Sequence, residues 1–121
     1  MPLFQWGRFK SAAGLDLNWK IECDALHSHD WACIAHASAK FIGPFGRAIG
    51  VPRGGLQLAD AFGPLCDPAS HRLLIVDDVW TTGASMNAFA DSIGAEGWTG
   101  FVAFARGELP PHVACFANIN V

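Results

Sequence analysis

Two adjacent carboxylates, Asp77 and Asp78, are followed two residues later by a small, hydroxylated run: Thr81, Thr82, Gly83, Ala84 and Ser85. Carboxylates suit sugar hydroxyls or a divalent cation. A loop of small residues leading into a helix offers unpaired backbone N–H groups and the positive end of the helix dipole, a ready phosphate cradle. Only Val79 and Trp80 separate the two groups, so one ligand can meet both. The ligand implied is a phosphorylated sugar. A second candidate lies upstream, where Pro52 and Arg53 precede the pair Gly54-Gly55. Such a turn leaves backbone donors accessible, and Arg53 adds a fork-shaped cation that matches phosphate oxygens.

Each feature has a plainer reading. A hydrophobic strand ending in Asp-Asp also occurs as the metal-holding strand of nucleotide hydrolases. That reading needs a Gly-x-x-x-x-Gly-Lys-Ser/Thr loop, and the sequence contains none. Asp-Asp alone is no more than an acidic βα turn. Gly-Gly alone is an ordinary turn in which glycine relieves strain. The signal lies in the whole run 73–85.

The elements that must position these residues are readable from periodicity. Leu73, Leu74, Ile75 and Val76 predict a short buried strand of a parallel sheet that stops at the carboxylates. Met86, Phe89, Ala90 and Ile93 predict a helix over 85–96, capped by Ser85 and ended by Gly97. Upstream, a strand over 46–51 leads through the glycine pair to a helix over 55–62, which Gly63-Pro64 terminates. A third buried strand is expected over 101–105, followed by Arg106, and a final short one within 112–121. Trp31, Ile34, Ala35, Ser38, Phe41 and Ile42 predict a packing helix over 29–42, capped by Ser28, with Asp30 at its positive end.

Residues 15–24 alternate strictly, with Leu15, Leu17, Trp19, Ile21 and Cys23 against Asp16, Asn18, Lys20, Glu22 and Asp24. Period two predicts a half-buried strand, and on residue chemistry alone its polar face is a solvated edge. Strands alternating with helices define the fold class as α/β: a small doubly wound, mostly parallel sheet with helices on both faces. Two ligand loops at neighbouring strand ends are what such a sheet offers at its switch point.

Composition narrows the function. At 121 residues the chain is one domain, and its net charge of −3 argues against a nucleic-acid binder. No apolar run approaches the ~20 residues of a membrane span, and the amino terminus lacks the pattern of a signal peptide. Cys23, Cys33, Cys66 and Cys115 form no Cys-x-x-Cys pair, which fits a reducing cytoplasm. His27, His29 and His36 lie close in sequence without further ligands at sensible spacing.

The run 73–85 closely resembles the phosphoribosyl pyrophosphate (PRPP) signature of type I phosphoribosyltransferases. The resemblance implies transfer of a 5-phosphoribosyl group from PRPP to a nitrogenous base, with Mg²⁺, in a cytoplasmic homodimer. It casts Asp77 and Asp78 as the catalytic acidic pair holding the ribose 2- and 3-hydroxyls. It wraps Thr81, Thr82, Gly83, Ala84 and Ser85 around the 5-phosphate, and sets Arg53, Gly54 and Gly55 against the pyrophosphate. Phe9-Lys10-Ser11-Ala12-Ala13-Gly14, with the extended segment ending at Asp24-Ala25-Leu26, is similar to the amino-terminal hood of orotate phosphoribosyltransferases. Residues 1–26 are then a hood and 27–121 the core, with Lys10 and Lys20 facing the base. Arg106 stands where orotate-type enzymes have an arginine contacting the base carboxylate; a surface arginine after a strand is the alternative.

The chain departs from that family between Phe62 and Arg72, where it has nine residues and neither Lys nor Arg. Family members place there an additional strand and a long mobile loop whose cations close over the departing pyrophosphate. Three expectations follow: a compact phosphoribosyltransferase acting on a pyrimidine such as orotate; a non-catalytic PRPP or nucleotide-binding module; or a structural subunit with empty loops.

Overall fold

The computed structural model describes residues 2–10, 14 and 16–119. Ser11, Ala12, Ala13 and Leu15 of the expected hood fall outside them, as does the end of the last strand. The chain opens with an antiparallel hairpin, β1 (Phe4–Lys10) and β2 (Asp16–Ile21). A 3₁₀ turn (Cys23–Ala25) leads into α1 (Ser28–Ile42). The core then alternates β3 (Arg47–Gly50), α2 (Leu56–Phe62), β4 (Leu73–Trp80), α3 (Ala84–Ser92) and β5 (Thr99–Ala105), and ends in β6 (Val113–Asn118). Strands β3 to β6 form a parallel four-stranded sheet in sequence order. The α/β class, the parallel sheet and helices on both faces are as expected.

Side-chain alternation along the buried strands divides the core in two. Leu74, Val76, Phe101 and Ala103 point to one face, where Trp31 and Ile34 of α1 and Leu58 and Phe62 of α2 cover them. Ile75 and Val102 point to the other, against Met86 and Ala90 of α3. Burial of these large apolar groups, each worth about 1.5–3 kcal/mol, fixes which helix lies on which face.

This arrangement has a topological consequence. Both crossovers, β3–α2–β4 and β4–α3–β5, advance the sheet in the same direction, yet their helices lie on opposite faces. They must therefore differ in hand. Val76 turns its side chain to the α2 face while its carbonyl accepts from Val51 N–H at the end of β3. That geometry makes β3–α2–β4 the left-handed one, whereas about 98% of parallel crossovers are right-handed. α2 sits where it would for a right-handed crossover to a strand on the far side of β3. Among the described residues no strand lies there, and the chain returns directly to β4.

Three sequence expectations need correction. β4 does not stop at the carboxylates but runs through them to Trp80, because β5 continues to pair with it at Val79 and Trp80. The N-cap of α3 is Gly83, not Ser85, which lies inside the helix, and α3 ends at Ser92, before Gly97. The N-cap of α1 is His27, whose N–H donates to Asp30 Oδ2 at 2.9 Å, so Asp30 and not Ser28 closes that end. Strand β1 was not foreshadowed by any alternation.

The segment 63–72 lies at the amino-terminal edge of the sheet. Asp67 N–H donates to Phe45 O at 2.8 Å and Gly46 N–H to Arg72 O at 2.9 Å, both just before β3 begins. Arg72 clamps the same edge, donating to Ile42 O at 3.0 Å and to Thr99 Oγ1 at 3.1 Å.

Candidate functional site

The carboxyl-terminal edge carries the nominated residues. The ladder between β4 and β5 pairs Asp77 with Val102 and Val79 with Phe104. Each carboxylate turns onto the next amide: Asp77 Oδ1 accepts from Asp78 N–H and Asp78 Oδ1 from Val79 N–H, both at 2.8 Å. The two side chains leave opposite faces of β4. Asp77, 7% exposed, borders the side of the loop 81–85, and Asp78 borders the Arg53 side.

Three adjoining cavities meet at this pair. The first, about 290 Å³, is walled by Thr81, Thr82, Gly83, Ala84 and Ser85, with Asp77 at its inner end. The second, about 490 Å³, lies between the strand ends and the hairpin and is walled by Lys10, Trp19, Lys20, Asp77, Asp78 and Arg106 among others. The third, about 370 Å³, holds Arg53, Gly54, Gln57 and Asp78. Asp77 and Ser85 are shared by the first two, and Asp78 and Gly54 by the last two.

The glycines are there for close approach. Gly83 has φ of +83°, a left-handed conformation, and a Cβ on it would run into the indole of Trp80. The loop 81–85 thus lies directly on a buried tryptophan. A Cβ on Gly54 would collide with the Asp78 carboxylate, and one on Gly55 with the backbone of Val51 and Val76. Neither has positive φ, so strain relief is not their role. Gly55 borders none of the three cavities and packs α2 against β4. The other nominated residues, Lys20 and Arg106 included, all line them.

Sequence reasoning did not single out Asn18, Trp19 or Trp80 as parts of a site. Arg106 Nη2 donates to Asn18 Oδ1 at 3.0 Å, and its guanidinium lies 4.4 Å from the centroid of Trp19. Lys20 sits over the ring of Phe9 at 4.8 Å and pairs with Glu22 at 3.7 Å. The Arg106 contacts join segments 88 residues apart and leave no trace in local periodicity.

Burial, reinforced by the neighbouring Asp78 carboxylate, raises the Asp77 carboxyl from its ordinary 3.8 to about 8. Burial, with Asp78 again beside it, also pushes the Cys23 thiol far up, so Cys23 is a neutral neighbour of the site. A carboxyl raised on folding binds more protons folded than unfolded between the two pKa values. Stability should therefore be greatest in acid and fall as pH rises from about 4 to about 8. Asp77→Asn should remove that fall. The check is the melting temperature of both proteins from pH 5 to pH 9: the wild type should lose ground to the variant toward alkaline pH, and parallel curves would contradict the assignment.

No family model matches the sequence, and no curated protein matches it significantly. The fold is nevertheless plain: the chain has the architecture of the type I phosphoribosyltransferases. Among solved structures, it is similar to the orotate phosphoribosyltransferase of Aeropyrum pernix, with a TM-score of 0.68 and 19% identity over 93% of this chain and 88% of that one. The orotate phosphoribosyltransferase of Mycobacterium tuberculosis H37Rv aligns with a TM-score of 0.66 and 14% identity, over 96% and 89%. The UMP synthase of Leishmania donovani aligns over 97% of this chain and 33% of its own, with a TM-score of 0.69 and 16% identity. At these identities the likeness is one of fold.

Proposed function

We propose that this chain binds Mg²⁺-PRPP and transfers its 5-phosphoribosyl group to a nitrogenous base, a pyrimidine such as orotate. One observation carries the reading: the acidic pair joins three cavities, so that PRPP can span from the first to the third with the middle one left for the base. The phosphate loop takes the 5-phosphate, Asp77 and Asp78 take the ribose hydroxyls, and Arg53 and Gly54 take the pyrophosphate. The base enters the middle cavity beneath the hairpin, beside Lys20 and Arg106. In the reaction, the bond from ribose C1 to the pyrophosphate oxygen breaks and the oxygen keeps the electron pair. A base nitrogen bonds to C1 and loses its proton. The chain's contribution is to position both reactants and to stabilise the charges that develop.

Among the described residues no three His, Cys, Asp or Glu side chains form a metal cluster. Two carboxylates suit an ion that arrives on the pyrophosphate and keeps phosphate and water oxygens for most of its shell, as Mg²⁺ does. When bound, it would neutralise pyrophosphate charge. A cytoplasmic homodimer is the form the resemblance implies. No helix among the described residues is long and apolar enough to cross a membrane.

The test is thermal unfolding during titration with Mg²⁺ and PRPP. Ligand at 100 times Kd stabilises the fold by about 2.7 kcal/mol. Replacing both Asp77 and Asp78 by Asn should remove most of that gain. An unchanged melting temperature at millimolar Mg²⁺-PRPP would sink the proposal. The second reading, a PRPP-binding module without turnover, is favoured by the position of residues 63–72 at the far edge of the sheet.

A further inference from the structure

We propose that Asn18 and Trp19 of the hairpin are positioning residues that lock Arg106 in one orientation and so select a base bearing an anionic group. The inference rests on the phosphoribosyltransferase reading and adds to it how the base is chosen.

Arg106 follows β5 directly, and its main chain is held by the sheet: its N–H donates to Trp80 O at 3.0 Å, and Ile119 N–H donates to the preceding Ala105 O at 2.8 Å. Its side chain then crosses to the hairpin, 88 residues away in sequence. Among the contacts that meet it there, two have different directions. Asn18 Oδ1 accepts from Nη2 at 3.0 Å, which fixes rotation within the guanidinium plane. The ring of Trp19, centred 4.4 Å from Cζ, lies against the group and fixes its tilt. Trp19 is itself 3% exposed and stacks on Phe4 at 5.3 Å, so the platform is rigid.

Arg106, Trp19 and Lys20 wall the middle cavity, next to the acidic pair. A long cationic side chain free to rotate would lose much of its conformational entropy on meeting a carboxylate. A guanidinium already held in plane and tilt loses little, and its planar fork then discriminates by geometry as well as charge. The same clasp ties the hairpin to the core at the point where the base would sit. Asn18 is exposed and Trp19 buried, so the hydrogen bond can be removed without disturbing the packing.

The test uses two probes that differ by a single carboxylate, orotidine 5′-phosphate and uridine 5′-phosphate, titrated calorimetrically against wild type, Asn18→Ala and Asn18→Gln. The wild type should favour orotidine 5′-phosphate. Asn18→Ala should shrink that preference by about tenfold, the scale of a hydrogen bond to a charged group, while uridine 5′-phosphate affinity stays within about twofold. Asn18→Gln, which keeps a neutral amide acceptor on an exposed side chain, should retain most of the preference. Equal weakening of both nucleotides, or an unchanged preference in Asn18→Ala, would overturn the positioning role. Wild type binding both nucleotides alike would overturn it too, while leaving the phosphoribosyl reading intact. Failure to bind either nucleotide would remove that reading and this inference together.

Discussion

Gly83→Val is expected to abolish phosphosugar binding and to cost the fold about 3 kcal/mol. The loop turns through a left-handed residue, and a β-branched side chain held at positive φ costs on the order of 1–3 kcal/mol. The added atoms also have nowhere to go, because the glycine Cα faces the Trp80 indole, which is 6% exposed and closed in by its neighbours. Overpacking of that kind costs roughly another 1–3 kcal/mol. For a domain of this size the sum should lower the melting temperature by roughly 10 °C. From sequence alone the substitution reads as an obstruction of exposed amides with little effect on stability. The tryptophan beneath the loop changes that expectation. Thermal unfolding and Mg²⁺-PRPP titration of the variant test it together. Wild-type melting would mean that Trp80 does not support the loop, and wild-type binding would mean that the phosphate cradle lies elsewhere.

What could be read in the chain and what could not follows from the range of the forces involved. Leu73 to Val76, Gly100 to Ala105 and the helical spacing from Trp31 to Ile42 announce themselves, since burial on a sheet or beneath a helix imposes local periodicity. Asp77 and Asp78 look like the start of a loop, and on sequence alone the strand ends at them. Pairing with β5 carries the strand past them, with both side chains turned into cavities. The cap of α3 was misassigned because Thr82, Gly83 and Ser85 are all competent N-caps, and the close fit on Trp80 decides for glycine. β1 was invisible for a different reason: Phe4–Lys10 is mostly exposed, is held by pairing with β2, and carries an irregularity between Trp6 and Phe9 that breaks any alternation. The resemblance to orotate-type enzymes points to Arg106, but its clasp with Asn18 and Trp19 exists only once the hairpin has folded over the sheet.

Turnover is expected to be at least 10²-fold below that of an enzyme with a closing cationic loop, even where Mg²⁺-PRPP binds well. Removing a single preorganised contact to developing charge costs on the order of 10²–10³ in rate, and a whole loop carries several such contacts. The fold shows why this chain cannot supply them from the corresponding segment. Helix α2 runs from the carboxyl edge down to the amino edge, so residues 63–72 turn at the wrong end, beside Phe45 and Gly46. The resemblance to type I phosphoribosyltransferases implies an additional strand before such a loop. A strand along the outer edge of β3 would carry the chain back up to the carboxyl edge and make the crossover from β3 right-handed. A basic loop needs that strand before it, so inserting Lys and Arg alone between Gly63 and His71 should leave turnover unchanged. An insertion that first adds a strand along the outer edge of β3 and then a basic loop should raise kcat by far more than it tightens PRPP binding. Initial rates of orotate consumption in the three proteins decide the matter. A wild-type rate ordinary for such enzymes would refute the argument, and would turn attention to Lys10, Lys20, Arg53 and Arg106, the cations that already wall the three cavities.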